Sequence, residues 1–366
     1  MRPSLRYGLQ FLLWCAIGGY LLFAGAEARR ARLKRQVAQL DIEVTDSTSR
    51  GYLVSTARVR EWIAASGIPT IGTAVEEVDL RSIEQLIARN GFVREAVAYV
   101  DYSGTLRVEI SQRNPLLRLR TDGVDDYITA DGYVFAAPKA SSLYVPVVTG
   151  DYRLPFPKEY AGDVRAYIDA ERAKIDARIA ALEKEKHPFY RQEIENDRRI
   201  AELARRRVKQ AWWRFESARA FERRVEELRQ EKAILRRSYR YEARRVQQEI
   251  DRLGRLQDEE REAQKKLEKS YEDFAKLLTF VEDIENDAFW RSEVVQIVAH
   301  TTPGGALEVD LVPRSGRHTI RFGRLEETEA KFGRLLRFYE GGLSRIGWDA
   351  YRTIDIRYND QVVCRK

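Results

Sequence analysis

Between Lys158 and Ile284 the chain holds one proline, Pro188, and two glycines, Gly162 and Gly254, in a stretch dominated by charged residues. A backbone so poor in turn-formers is confined to long helices. Its second half carries a heptad register: Val225, Leu228, Lys232, Leu235, Tyr239, Glu242, Val246, Glu249, Leu253, Leu256, Glu260, Ala263, Leu267, Ser270, Phe274, Leu277, Val281 and Ile284. Thirteen of these eighteen positions are apolar, which is the pattern of a coiled-coil seam and not of a lone solvated helix. The first half is less regular, with Val164, Ile168, Ile175 and Leu182, then Ile194, Ala201, Val208 and Phe215, and Pro188 should break or kink it.

The flanks read differently. Before the block, "VAQLDIEVTD" is a strand, "VSTARVREWIAASG" a helix ending at Gly67, and "VDLRSIEQLIARNG" a second helix. "FVREAVAYVDYSGTLRVEISQ" then gives two strands around Ser103-Gly104, so the order is β-α-α-β-β. "LLRLRTDG", the hairpin "DDYITADGYVFA" and "LYVPVVTGD" continue as β structure. After the block come the strands "EVVQIVAH", "ALEVDLVPR" and "HTIRFG" and an amphipathic helix expected to stop at Gly341-Gly342. The chain ends on "TIDIRYNDQVVCRK", where Ile354, Ile356 and Tyr358 alternate with polar residues as in a half-buried strand.

Segments 113–157 and 285–366 are each too small to make a good sheet alone, so the helical block interrupts one β unit and its ends must lie close together. An antiparallel hairpin turning near Ser217 to Phe221 meets that need, with arms of about 60 residues and roughly 90 Å. Folding back at Pro188 and near Gly254 meets it as well.

Near the N-terminus, Tyr7 to Ala26 form an uncharged run of twenty residues, enough for about 30 Å of helix. A retained membrane anchor over 9–26 is the favoured reading, and a signal peptide cleaved after "AGA" the competing one. Basic residues following the run would, by counting alone, leave the bulk of the chain in the cytosol.

Net charge is +7, but residues 1–36 carry seven Lys/Arg against Glu27 alone, so the remainder is nearly neutral and offers no general nucleic-acid face. Cys15 and Cys364 suggest no disulfide framework. His187, His300 and His318 are isolated from other ligands in sequence, and no phosphate-loop, dinucleotide, nucleophile-elbow or zinc-protease motif occurs. No catalytic, metal or cofactor site is expected.

One charged segment stands out. Residues 198–245 hold 17 Lys/Arg against 7 Asp/Glu, with Trp212, Trp213, Phe215 and Phe221 among them. In a two-arm hairpin this is the tip. It reads either as a solvated coil end or as a contact for an anionic surface, with Arg205, Arg206, Arg207, Arg236 and Arg237 the candidates.

The order of segments resembles the bacterial cell-division family FtsQ/DivIB. "RNGFVREAVAYVDYSGTLRVEISQRNPLLRL" resembles the end of that family's POTRA module, and "YITADGYVFA" and "VPVVTG" its next strands. "DAFWRSEVVQIV", "LEVDLVPRSGRHTIRFG" and "KFGRLLRFYEGGLSRIGWDAYRTIDIRYNDQVVCRK" resemble its C-terminal half. The resemblance covers 37–157 and 285–366 and does not account for 158–284.

It implies an α+β chain: a cytoplasmic tail over 1–8, a transmembrane helix over 9–26, a basic linker over 27–36 and a POTRA module over 37–112. A β domain over 113–157 and 285–366 would be interrupted by a coiled coil over 158–284. It implies a single-pass inner-membrane protein with its bulk in the periplasm at the division septum. Its role would be a non-enzymatic divisome scaffold, without nucleic acid, touching the bilayer through 9–26 and bound to FtsB/FtsL-type and other division proteins. The terminal segment would be the partner-binding edge, through Ile354, Ile356, Arg357, Tyr358, Gln361, Val362 and Val363. A POTRA-bearing adaptor for secretion or outer-membrane assembly, or an envelope tether acting through the coil, are the other readings.

Overall fold

The computed structural model describes residues 14, 16–25, 35–45, 53–121, 123–138, 142–210, 216–358 and 361–366. These form two units, one running through Arg153 and resuming at Pro157–Asp163 and Ala275–Lys366, the other comprising Leu154–Phe156 and Val164–Phe274.

The first unit opens with the expected β-α-α-β-β module: β1 (Gln39–Val44), α1 (Thr56–Ser66), α2 (Leu80–Ala88), β2 (Val93–Val100) and β3 (Thr105–Gln112). Local chemistry sets the helix ends. Ser55 caps α1 by accepting from the Arg58 amide, Gly67 closes it in the left-handed region, and Asp79 caps α2 by accepting from the Ser82 amide. The sheet order is β1-β3-β2, with β1 parallel and β2 antiparallel to β3. Val59, Ile63, Ile83, Ile87, Leu106 and Ile110 are buried in a core that extends to Tyr127, Phe135, Leu143 and Val145 beyond the module. A Cβ on Gly91 would lie 2.8 Å from the Phe135 Cβ, so only glycine permits this approach.

A ten-stranded mixed sheet follows. Its strands are β4 (Pro115–Thr121), β5 (Val124–Thr129), β6 (Tyr133–Ala136), β7 (Val147–Gly150), β8 (Gly162–Asp163), β9 (Val294–Thr301), β10 (Leu307–Pro313), β11 (Thr319–Gly323), β12 (Thr353–Asp355) and β13 (Val363–Arg365). The spatial order is β13-β12-β11-β10-β9-β7-β4-β5-β6-β8. β7 from before the helical block pairs in parallel with β9 from after it, so the block does interrupt a single sheet.

The block is two helices, α3 (Val164–Arg205) and α4 (Ala218–Asn286), of 42 and 69 residues. α3 is continuous through Pro188, so of the expected break or kink the break does not occur. Within the second unit the two helices are antiparallel. Arg172 meets Glu268 at 3.4 Å, Asp176 meets Gln264 at 3.3 Å, Arg178 meets Glu260 at 2.9 Å and Arg206 meets Glu231 at 3.4 Å. The three-arm alternative is thereby removed.

The seam departs from the expected register in one column. Val246, Leu253 and Phe274 are buried as expected, but Gln257 is 3% exposed while Leu256 is 37% exposed. On α3, Ile194 is 68% exposed and Asn196 is buried.

Within the first unit, the last turns of α4 bury Leu277, Phe280, Val281 and Ile284. Phe280 lies 4.8 Å from Phe322 and 5.6 Å from Phe332, ring to ring. Phe332 belongs to α6 (Thr328–Phe338), and Trp290 of α5 (Ala288–Glu293) packs 4.8 Å from it. Gly341-Gly342 do not end this helical region. They sit in a π-helical turn, Tyr339–Leu343, and the chain leaves the helix at Gly347, φ 106°.

The transmembrane helix expected over 9–26 is not borne out. With it go the single-pass inner-membrane placement and the bilayer contact through that segment. Among the described residues no helix is long and apolar enough to cross a membrane. Of 9–26, residues 9–13, 15 and 26 lie outside the described residues, as do the tail 1–8 and most of the linker.

Candidate partner interface

The terminal segment is not one strand. β12 is interior, parallel to β11 on one side (Ile320 opposite Ile354) and antiparallel to β13 on the other (Ile354 opposite Cys364). Ile354 and Ile356 are fully buried, and the Ile356 amide donates to the Arg321 carbonyl at 3.1 Å. These two expected contact residues are therefore packed within the sheet. The open edge is β13, which begins at the expected Val363 and adds Cys364 and Arg365. Gln361 is exposed and Val362 half-buried beside it.

Arg357 and Tyr358 follow β12 and stay at the surface, Tyr358 being 47% exposed. Arg357 grips Asp355 in a fork, Nε to Oδ1 at 2.9 Å and a terminal nitrogen to Oδ2 at 2.7 Å, while its amide donates to the same carboxylate at 3.1 Å. Burial opposes ionisation of Asp355, yet the hydrogen bonds and charge of Arg357, with Arg321 beyond, outweigh it and hold the carboxyl below its ordinary value. The hydrogen bond to Asp355 likewise raises the Arg357 guanidinium. A Cβ on Gly323, φ 75°, would come within 2.6 Å of the Arg357 Cγ, so that glycine makes room for the arginine stem.

Arg357 and Tyr358 line a hollow of about 430 Å³ with Glu308, Arg324, Glu326, Glu327 and Lys331. Lys331 is buried, donates to the Arg324 carbonyl at 2.6 Å and lies 5.0 Å over the Phe322 ring; burial lowers its pKa. Three carboxylates and three cations make the hollow mixed in sign, suited to polar side chains of either charge. Sequence reading found Arg357 and Tyr358 and missed the other five, which come from β10, the loop after β11 and α6. The charge-rich run "GRLEETEAK" is the only trace of four of them, and Glu308 has none.

The expected basic tip is placed less simply. Arg205 is the last residue of α3, Arg206 is paired with Glu231, and Arg207 is exposed in the irregular segment that follows. Lys232 donates to the Ala204 carbonyl at 3.3 Å and to that of Arg206, which sets the end of α3 beside α4 one turn before the exposed Arg236 and Arg237. Trp212, Trp213 and Phe215 lie outside the described residues. Phe221 is half-buried under the Arg224 guanidinium at 5.8 Å.

Among the described residues no group of three or more His, Cys, Asp or Glu could hold a metal ion. His318 is buried against the Tyr339 hydroxyl at 3.0 Å, and His300 contacts Asp151 at 2.8 Å.

Two family models match the chain. Residues 35–111 match a POTRA-like domain, and residues 256–365 match the family described as FtsQ/DivIB, C-terminal related. The second match begins inside α4, earlier than the resemblance drawn from sequence, which began at 285. Among curated proteins none matches the chain. Both families are non-catalytic, and together they support a cell-division scaffold with divisome proteins as partners. A POTRA-like domain followed by the FtsQ/DivIB C-terminal related domain, in that order, supports the resemblance of this chain to the FtsQ/DivIB family.

Proposed function

We propose that the chain is a non-enzymatic division scaffold that takes an FtsB/FtsL-type partner segment as an added strand on β13. The observation that carries this reading is the end of the large sheet. β13 is three residues long, it is paired with β12 on one side, and on the other side no strand covers it among the described residues. An added strand gains affinity from backbone hydrogen bonds and specificity from side-chain pockets. The hollow beneath Arg357 and Tyr358 supplies such a pocket close by in sequence.

The test removes the edge and spares the core. Ending the chain after Gln361 deletes β13 but keeps Ile354 and Ile356, both fully buried. The truncated chain keeps its secondary structure by circular dichroism and loses binding to an FtsB/FtsL-type segment in calorimetry. Full-strength binding by a folded truncated chain overturns the reading. Depleting the protein in its native cells should also produce filaments that elongate without dividing.

A further inference from the structure

The second unit carries a surface that strand addition does not use. Between Lys232 and Gln248 the α4 helix holds six cations against one carboxylate, Glu242. Arg237, Arg240, Arg244 and Arg245 are all exposed and make no ion pair among the described residues. This contrasts with cations of the coil such as Arg172, Arg178, Arg198 and Arg199, which are paired with carboxylates.

The placement of these arginines is ordered. Arg237 and Arg244 are seven residues apart and occupy one heptad column. Ile234 and Tyr241, also seven apart, occupy the adjacent column, and Arg245 lies one turn past Tyr241 on its far side. Ile234 is 68% exposed and Tyr241 63% exposed, on a helix whose covered face runs through Leu235, Tyr239, Ala243 and Val246. The outer face of α4 thus repeats, in miniature, the layout of a coiled-coil seam: an apolar column with charges along both sides. The charges beside Tyr241, Arg237, Arg244 and Arg245, are all positive, and Glu231, one turn before Ile234, is engaged by Arg206 at 3.4 Å.

We propose that this outer face of α4 binds an acidic amphipathic helix from a partner protein. The heptad spacing of Ile234 and Tyr241 fits the apolar stripe of a helix, and the unpaired arginines fit glutamates or aspartates flanking that stripe. The apolar column is short, since Glu227 and Gln248 occupy its next positions at either end. A bilayer surface would call for a longer apolar stripe to bury among headgroups. Of the five arginines marked by charge count alone, only Arg237 belongs to this face. The added members are Arg240, Arg244 and Arg245.

The experiment uses the full chain and a fluorescein-labelled peptide of three heptads, with leucine at a and d and glutamate at e and g. A second peptide carries lysine at e and g, and vesicles of phosphatidylglycerol and phosphatidylcholine are run in parallel. The acidic peptide binds and the lysine peptide does not. Combining Arg237→Glu, Arg244→Glu and Arg245→Glu weakens binding about tenfold or more, and added salt weakens it too. Ile234→Ser with Tyr241→Ser weakens it at every salt concentration. Both variants keep the helical circular dichroism signal, because the changed side chains are exposed. Failure of the acidic peptide to bind, or equal binding by the charge-reversed chain, overturns the proposal. Capture of the chain by vesicles without capture of the peptide, lost on charge reversal, overturns it in favour of a lipid surface.

Discussion

One helix, α4, passes through two kinds of interior. In the second unit its covered face includes Gln257, whose amide donates to Glu183 at 2.9 Å and to the Ile179 carbonyl at 3.3 Å, and whose oxygen takes the buried Lys186 ammonium. In the first unit the same helix buries Leu277, Leu278, Phe280, Val281 and Ile284 with no polar residue among them. Apolar packing supplies stability through burial, whereas a polar layer in a two-helix seam stabilises little and selects one register over its neighbours. The coil is thus built to be specific, and the sheet core to be stable.

The first way to break this contrast is Phe280→Ala. Its ring touches Phe322 and Phe332, and its loss should cost about 3–5 kcal/mol, seen as a large fall in the unfolding midpoint of the first unit. A loss below about 1 kcal/mol would mean the end of α4 is no part of that core.

Next comes the polar layer. Gln257→Leu leaves the Lys186 ammonium buried without its acceptor and should cost about 1.5–3 kcal/mol. Combining it with Lys186→Met should restore most of that stability, since an apolar pair leaves nothing unsatisfied. Additive losses in the double variant, read by urea unfolding, would show that the layer contributes stability in its own right.

A third prediction concerns a buried charge of the sheet. Asp126 on β5 is 8% exposed and its carboxyl has no hydrogen-bond partner among the described residues. Burial, with Asp125 beside it, raises its pKa to about 6. Folding therefore favours its protonated form. That contribution is fully present below the ordinary carboxylate value near 4 and is lost as the pH rises through about 6. Asp126→Asn should flatten the stability profile between those limits, and an unchanged profile would contradict the assignment. Where the coil gives its buried Lys186 a partner, the sheet makes Asp126 harder to ionise.

The smallest effect should come from Glu260→Gln. It removes an exposed ion pair with Arg178 from the coil rim, and thermal melting should not move measurably.

Much of this architecture could be read from the sequence, and the failures have local causes. Helix ends were legible because Ser55, Asp79 and Gly67 act on their own neighbours. The two-helix coil was legible from its period. Its second column was not, because Leu256 looks like core and Gln257 does not; what buries Gln257 is Lys186 and Glu183, some seventy residues earlier. Pro188 does not break α3, where a long packed seam outweighs the local rule. The alternation of Ile354, Ile356 and Tyr358 points to a strand continuing to Tyr358, with a bend only at Asn359-Asp360, which lie outside the described residues. The Ile356 amide is instead claimed by Arg321, and the strand breaks there. The hollow escaped because its walls come from β10, α6 and the loops after β11 and β12, which only the folded sheet brings together.

The most direct test of the account is hydrogen exchange on the full chain with and without an FtsB/FtsL-type segment. Among the described residues the edge strands are β13 and the two-residue β8 in the large sheet, and β1 and the eight-residue β2 in the small one. Strand addition at β13 predicts that the amides of Val363–Arg365 slow on binding while those of Val93–Val100 do not change. Unchanged exchange at Val363–Arg365, or protection concentrated in Val93–Val100, would contradict it.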